Sequence, residues 1–323
     1  MLRGFGDRGQ SRLAESHALV AGLGGTGSAV ALLFALAGVG RLTIVDRDVV
    51  ARENLHRQPT YTSADVGMSK AEVTSGFLLA RAPGLRVDYH AVNIDAGNAA
   101  RLVRDADIAV DCMDNFAGRS ALNAACVHKR IPFVHTGSTG WEASCGIFWS
   151  PRTACFECLF PDPGGEDLPT CEDVGALGAL TTYVASLAAL ESVKLLAKVG
   201  SGLVGEMLVF DGQRMESRMA RFERRRDCPV CGPTRSAGLA SRAVELCGNG
   251  EILVSRAFSR GSFERLAGRL GARASRKGDS ILATSILGFD VSLFRTGNLL
   301  IRGTSSREDA RLVAKELGLR LRL

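Results

Sequence analysis

The sequence has no apolar leader: Met1 to Ser16 is too polar for a secretory signal. Its nine cysteines, an odd number without such a leader, argue against a disulfide framework and for a reducing compartment, so the cytoplasm is the expected location. Long hydrophobic runs are scarce. Only Val174 to Leu190 approaches the length of a membrane span, and it carries Gly175, Gly178, Thr181, Thr182 and Ser186, with Glu191 and Lys194 close behind. A buried or dimer-interface helix accounts for that composition better than a membrane span. Aromatic residues are sparse, at 6%. The tail from Arg235 to Leu323 holds 16 Lys and Arg against 8 Asp and Glu, whereas the residues before it hold 24 against 26. No aromatic stacking pattern runs through that basic tail, which speaks against a nucleic-acid partner and for solvated helix faces or an acidic protein partner.

What is there suffices for one large domain and a small one, since 323 residues with 46% apolar side chains can build an ordinary core. The chain is organised around His17 to Lys70. His17 to Ala21 is a short apolar run that ends at Gly22, and Gly22, Gly24 and Gly27 have the G-x-G-x-x-G spacing. In a β-α-β unit the first glycine makes the turn out of the strand, the second lets a phosphate approach the backbone, and the third lets the helix pack on the sheet. Ser28 to Ala37 continues as the helix, whose N-terminus favours an anion. Leu42 to Val45 is the next strand and delivers Asp46, a carboxylate placed to accept from ribose hydroxyls. This much also fits an NAD-dependent oxidoreductase.

The residues that follow favour a nucleoside triphosphate. Asn54, Arg57, Gln58 and, a dozen residues later, Lys70 form a polar set in which an arginine fork and a lysine charge can hold phosphates. A solvated loop and a capping lysine are the plainer reading. Ile108 to Val110 reads as a buried strand ending in DCMDN, which puts Asp114 and Asn115 where parallel sheets bind ligands. Asp114 is the expected Mg²⁺ ligand, since Mg²⁺ takes one or two carboxylates plus phosphate oxygens; capping of the helix near Phe116 is its alternative role. His135, at a strand end, reads as hydrogen-bonded scaffold. The segment from Trp141 to Trp149 reads as an antiparallel extension.

Two C-x-x-C pairs, Cys155 with Cys158 and Cys228 with Cys231, have 69 residues between them. Each pair can place two thiolates on one ion, and together they make a closed four-sulfur zinc site; a redox pair is the less favoured reading. Cys171 lies between them on a segment rich in proline, glycine and carboxylates, which suits an exposed crossover loop. Cys112, Cys126, Cys145 and Cys247 read as buried small hydrophobes.

In the order GLGGTGS, IVDRDVV, ENLHRQ, DVGMSKA, DCMDN, CFECLFP and CPVCG, these segments resemble the ThiF/MoeB-type adenylyltransferases, relatives of the ubiquitin-activating enzymes, from about Leu2 to Gly232. The resemblance implies ATP- and Mg²⁺-dependent adenylation of the C-terminal glycine of a small ubiquitin-like sulfur carrier of the ThiS/MoaD type, ending in Gly-Gly. It puts Gly25, Asp46, Asn54, Arg57, Lys70 and Asp114 at ATP-site positions, implies a homodimer, and makes Cys171 the thiol that captures the activated carrier or its sulfur. The rival outcome is a Cys171 thioester passed to a conjugating enzyme. No rhodanese-like domain is present, so a separate sulfur donor is expected. The sequence also departs from the family: the R-Y-x-R-Q segment that gives an arginine to the partner's ATP is missing, and Arg3, Arg8 and Arg12 do not match it. That departure leaves a non-catalytic binding platform open.

The expected fold is α/β, a Rossmann-like doubly wound sheet, mostly parallel with an antiparallel extension, over residues 1–235. A small α+β domain follows at 243–323, with strands at Ile252 to Ser255, Ser280 to Leu287, Asp290 to Arg295 and Leu299 to Arg302 and helices at Ser262 to Leu270 and Arg307 to Leu317. Thr296-Gly297-Asn298 reads as a hairpin turn, and FRTGNLLIRGTSSREDARLVAKEL weakly resembles the TATA-binding-protein half-repeat in shape.

Overall fold

The computed structural model describes residues 4–161, 175–200, 202–233, 244–247, 251–254, 257–304 and 306–319. Arg3 and Cys171 lie outside them.

Helix α1 (Gly6–Glu15) precedes β1 (His17–Ala21), α2 (Gly25–Ala37) and β2 (Arg41–Val45). A 3-10 turn (Arg52–Arg57) leads to α3 (Lys70–Arg81), β3 (Arg86–His90), α4 (Ala99–Leu102), β4 (Ile108–Asp111), α5 (Phe116–Lys129) and β5 (Phe133–Thr139). These five strands are parallel in the order β3-β2-β1-β4-β5. Strand β6 (Glu142–Phe148) then returns antiparallel on β5. After α6 (Phe156–Leu159) and α7 (Gly178–Ala197), β7 (Glu206–Asp211) and β8 (Glu216–Arg221) complete an eight-stranded mixed sheet.

Both faces of its centre are buried, which is why β1, β2 and β4 read as apolar runs. Along β1, Ala18 and Val20 join one core with Phe34 of α2 and Val184 and Ala188 of α7. Leu19 and Ala21 join the other, with Leu122 and Cys126 of α5. Helix α7 is long and apolar enough to cross a membrane by composition, yet half of its most apolar window is buried in the fold, against α2 and across β5 and β6. Arg12 of α1 donates from Nη1 to the Ala197 carbonyl at 2.8 Å, closing the C-terminal end of that helix.

Strands β9 (Val244–Cys247) and β10 (Glu251–Val254), helix α8 (Phe263–Leu270), strands β11 (Ala274–Lys277), β12 (Ile281–Ile286), β13 (Phe289–Phe294) and β14 (Leu299–Arg302), and helix α9 (Arg307–Glu316) follow. They form a second, wholly antiparallel sheet in the order β11-β12-β13-β14-β10-β9. Strands β9 and β11 are additions to the sequence expectation. The turn at Thr296-Gly297-Asn298 forms, with Gly297 at φ +97° and the Phe294 N–H on the Asn298 carbonyl at 2.9 Å. One face of this sheet packs on Phe263, Leu266, Ala310 and Val313 of its two helices.

Candidate active site

The order of the first sheet reverses between β1 and β4, so their C-terminal ends open a crevice there, the place where such sheets take ligands. A cleft of about 950 Å³, its open mouth included, occupies that position. Gly22, Gly24, Gly25, Asp46, Asn54, Arg57, Gln58, Lys70, Asp114 and Asn115 all line it. Residues spread over 94 positions of sequence thus converge on one cavity. Gly27 is not among the lining residues.

The glycine turn has a steric cause. Gly22 sits at φ +83° with the Cys112 carbonyl only 2.5 Å from where a Cβ would stand, and a Cβ on Gly27 would fall 1.8 Å from the Gly22 carbonyl. Asp46 holds this turn to the end of β2. One of its carboxylate oxygens accepts from the Leu23 N–H at 2.6 Å and the other from the Asp48 N–H at 2.7 Å. Burial raises the Asp46 carboxyl above the usual range.

Asp48, absent from the sequence-based set, is the partner of Lys70, whose Nζ donates to its Oδ2 at 3.1 Å. Burial alone would raise the Asp48 carboxyl, but the charges of Lys70 and Arg47 outweigh it and hold the group at about 2. Burial likewise opposes the Lys70 ammonium, and Asp48 and Asp46 more than restore it. Lys70 is therefore a permanent cation at the first position of α3. Arg57 ends the 3-10 turn half-buried, and its guanidinium makes no hydrogen bond or ion pair with the described residues. The amide oxygen of Gln58 is buried and unpartnered. An unpaired guanidinium and an open acceptor facing one cavity are groups that a polyanionic, hydrogen-bonding ligand would satisfy.

At the other wall the two residues after Met113 divide their work. Asn115 is the N-cap of α5 and accepts from the Gly118 N–H at 2.7 Å, so its amide oxygen is committed to the helix. Asp114, for which capping was the alternative role, is exposed to the cleft without a partner among the described residues, which suits the expected Mg²⁺ ligand. Beneath them lies a buried set. Asp111 Oδ2 accepts from His135 Nδ1 at 2.8 Å and stands 3.1 Å from Arg119 Nε, while Oδ1 accepts from the Met113 N–H. Burial lowers the His135 pKa despite Asp111, so the ring is neutral scaffold, as its position at the strand end suggested. Arg119 and Thr181 also line the cleft; Thr181 arrives from α7 and carries no sequence signal.

The four cysteines of the two C-x-x-C pairs meet outside this cleft's lining, in the same core as Leu122 and Cys126 of α5. Their sulfurs lie within 4.8 Å of one another and all four are buried. The separations of 3.9 Å for Cys155–Cys158, 3.6 Å for Cys155–Cys228 and 3.4 Å for Cys158–Cys231 exclude disulfides. They fit the ~3.8 Å edge of a tetrahedron with Zn–S bonds of ~2.3 Å. The donor set therefore suits one closed, structural zinc ion.

The ThiF-family model matches residues 1–230 of the sequence. The chain belongs to the ThiF family. Among curated proteins, this ThiF-family chain is 36% identical over 250 residues to "Adenylyltransferase and sulfurtransferase MOCS3" of Caenorhabditis briggsae, covering 76% of this chain and 62% of that protein. It is 37% identical over 228 residues to the "SAMP-activating enzyme E1" of Haloferax volcanii, covering 70% and 84%. The chain thus spans less than two thirds of the MOCS3 relative's length. Among solved structures, the microcin C7 biosynthetic enzyme MccB in complex with N-formylated MccA matches with a TM-score of 0.61 and 25% identity over 70% of each chain.

Proposed function

We propose that this ThiF-family protein adenylates the C-terminal carboxylate of a small ubiquitin-like sulfur carrier ending in Gly-Gly. The observation that carries the reading is one cleft lined by the Lys70 cation, the Arg57 guanidinium and the Asp114 carboxylate, the last two without partners among the described residues. Relatives named as an adenylyltransferase and as an E1 support it. Arg57 and Lys70 hold the triphosphate, Asp46 and the glycine turn hold the ribose and phosphates, and Asp114 would hold Mg²⁺, which would supply charge neutralisation at the phosphate oxygens. A carrier carboxylate oxygen attacks the α-phosphorus in line. The bond to the β-phosphate oxygen breaks, pyrophosphate leaves, and an acyl-adenylate remains. The protein contributes positioning and charge stabilisation.

Residues 1–235 form the adenylation domain and 243–323 a separate small domain in this reading. The four cysteines would hold zinc, the protein works in the cytoplasm as a homodimer, and the adenylate is opened by sulfur, either from Cys171 or from a separate donor, with AMP leaving. Leu36 of α2 and Leu190 of α7, 63% and 56% exposed, offer apolar surface for the dimer. The chemistry is tested with a carrier labelled with ¹⁸O in its terminal carboxylate. Attack on the α-phosphorus puts the label into AMP once sulfide opens the adenylate. Label in inorganic phosphate would mean attack on the γ-phosphorus and would overturn the proposal.

A further inference from the structure

The second sheet is docked at the nucleotide cleft's edge, and its contacts with Val49, Ala91 and Glu72 fall one residue or two away from cleft-lining side chains. Its outer face carries Ile281, Phe294 and Leu300, which are buried together with Val49 and Ala91 of the first sheet's loops. Val49 directly follows Asp48, and Ala91 directly precedes Val92, Asn93 and Ile94, all of which line the cleft. The Thr296 hydroxyl donates to the Ala91 carbonyl at 3.0 Å. On the third segment, Glu72 of α3 accepts from the Asp279 N–H at 3.1 Å and from the Ser280 hydroxyl, and Lys70 begins that same helix. The approach is close: a Cβ on Gly278 would stand 2.6 Å from Glu72 Oε1.

These contacts join three walls of one cavity to a single rigid element. The segment at 46–48 is held through Val49, the segment at 92–94 through Ala91, and Lys70 through Glu72. We propose that residues 257–304 are a built-in brace of the nucleotide site, with Thr296 and Glu72 as positioning residues that set its affinity for ATP. The charge of Arg302, on β14, adds to those that keep Asp48 ionised beside Lys70, so the brace acts on the Asp48–Lys70 pair electrostatically as well as by packing. Burial of Ile281, Phe294 and Leu300 on this face, and not on the face covered by α8 and α9, explains why the basic tail stays attached to the cleft.

The inference rests on the ATP reading above, and direct nucleotide titration separates the two because it needs no carrier. Mg²⁺-ATP binding to the full chain is measured by calorimetry for the wild type, Thr296→Val, Thr296→Ser, Glu72→Ala and, as a remote control on α9, Leu312→Ser. The brace predicts dissociation constants raised about tenfold for Thr296→Val and Glu72→Ala, restored in Thr296→Ser and unchanged in Leu312→Ser. In turnover, the two weakened variants raise the KM for ATP with kcat kept, the pattern of lost ground-state binding. A Phe294→Ala variant removes the packing and is read only alongside Thr296→Val, which leaves the apolar cluster intact. Wild-type affinity in both Thr296→Val and Glu72→Ala overturns the brace while leaving the ATP site standing. A wild type that binds no ATP overturns both.

Discussion

At the residue scale the site is defined by which charges are already satisfied. Lys70 has Asp48, Asp46 has two backbone N–H groups, and Asn115 has the first turn of α5; Arg57 and Asp114 have none among the described residues. The two unpaired groups are therefore the ones whose loss should cost turnover and not folding. Arg57→Ala and Asp114→Ala are each expected to lower kcat/KM by about 10²–10³, the size of losing one charge stabiliser, with thermal midpoints near wild type; the check is steady-state kinetics beside calorimetry. Asp48 is different because it is part of the fold. Its carboxyl is held at about 2, below the ordinary ~3.9. An acid whose folded pKa is depressed stabilises above its unfolded pKa and loses that contribution as pH falls through the folded value. Between about pH 5 and pH 3 the wild type should lose ~1 kcal/mol more than Asp48→Asn, read from urea midpoints at each pH. Equal losses would deny that Asp48 and Lys70 are coupled. The sequence offered Asp46 through its spacing from the glycines, but nothing in it told Asp48 from any other aspartate, and Arg119 and Thr181 reach the cleft only through tertiary packing.

At the element scale, what could be read was what is buried on both faces or obeys a local rule. Strands β1, β2 and β4 declare themselves as apolar runs. Strand β8 declares nothing, since all six of its residues are exposed and no alternation marks it; β11 is an edge strand with the same lack of signal. Both C-x-x-C pairs could be read because each knuckle is local, while their meeting across 69 intervening residues could only be supposed. Zinc bound there joins α6 to the segment after β8. The chain should contain about one Zn²⁺ per protomer by elemental analysis, and a strong chelator or Cys158→Ser should lower the thermal midpoint by several degrees or more, because structural zinc is folding energy. A metal-free protein with an unchanged midpoint would contradict a structural role.

At the scale of the whole molecule, the sequence marked two cores but not their relation. Composition drew attention to the tail's charge; the contact that matters is apolar, made by Ile281, Phe294 and Leu300, whose alternation with Leu282, Leu293 and Leu299 looks in sequence like any buried strand. In the proposed reading, adenylation and the braced cleft belong to one machine, in which the first sheet would present the phosphate-binding groups and the second would fix the loops that carry them. The most direct measurement of that chemistry is ATP–pyrophosphate exchange with labelled pyrophosphate, using the purified chain and a panel of small β-grasp proteins ending in Gly-Gly. Exchange supported by at least one carrier, lost in Arg57→Ala and Asp114→Ala and retained in Leu312→Ser, is the predicted result. Absence of exchange with every carrier, from a protein that is folded and zinc-loaded, would contradict it and leave a binding platform in its place.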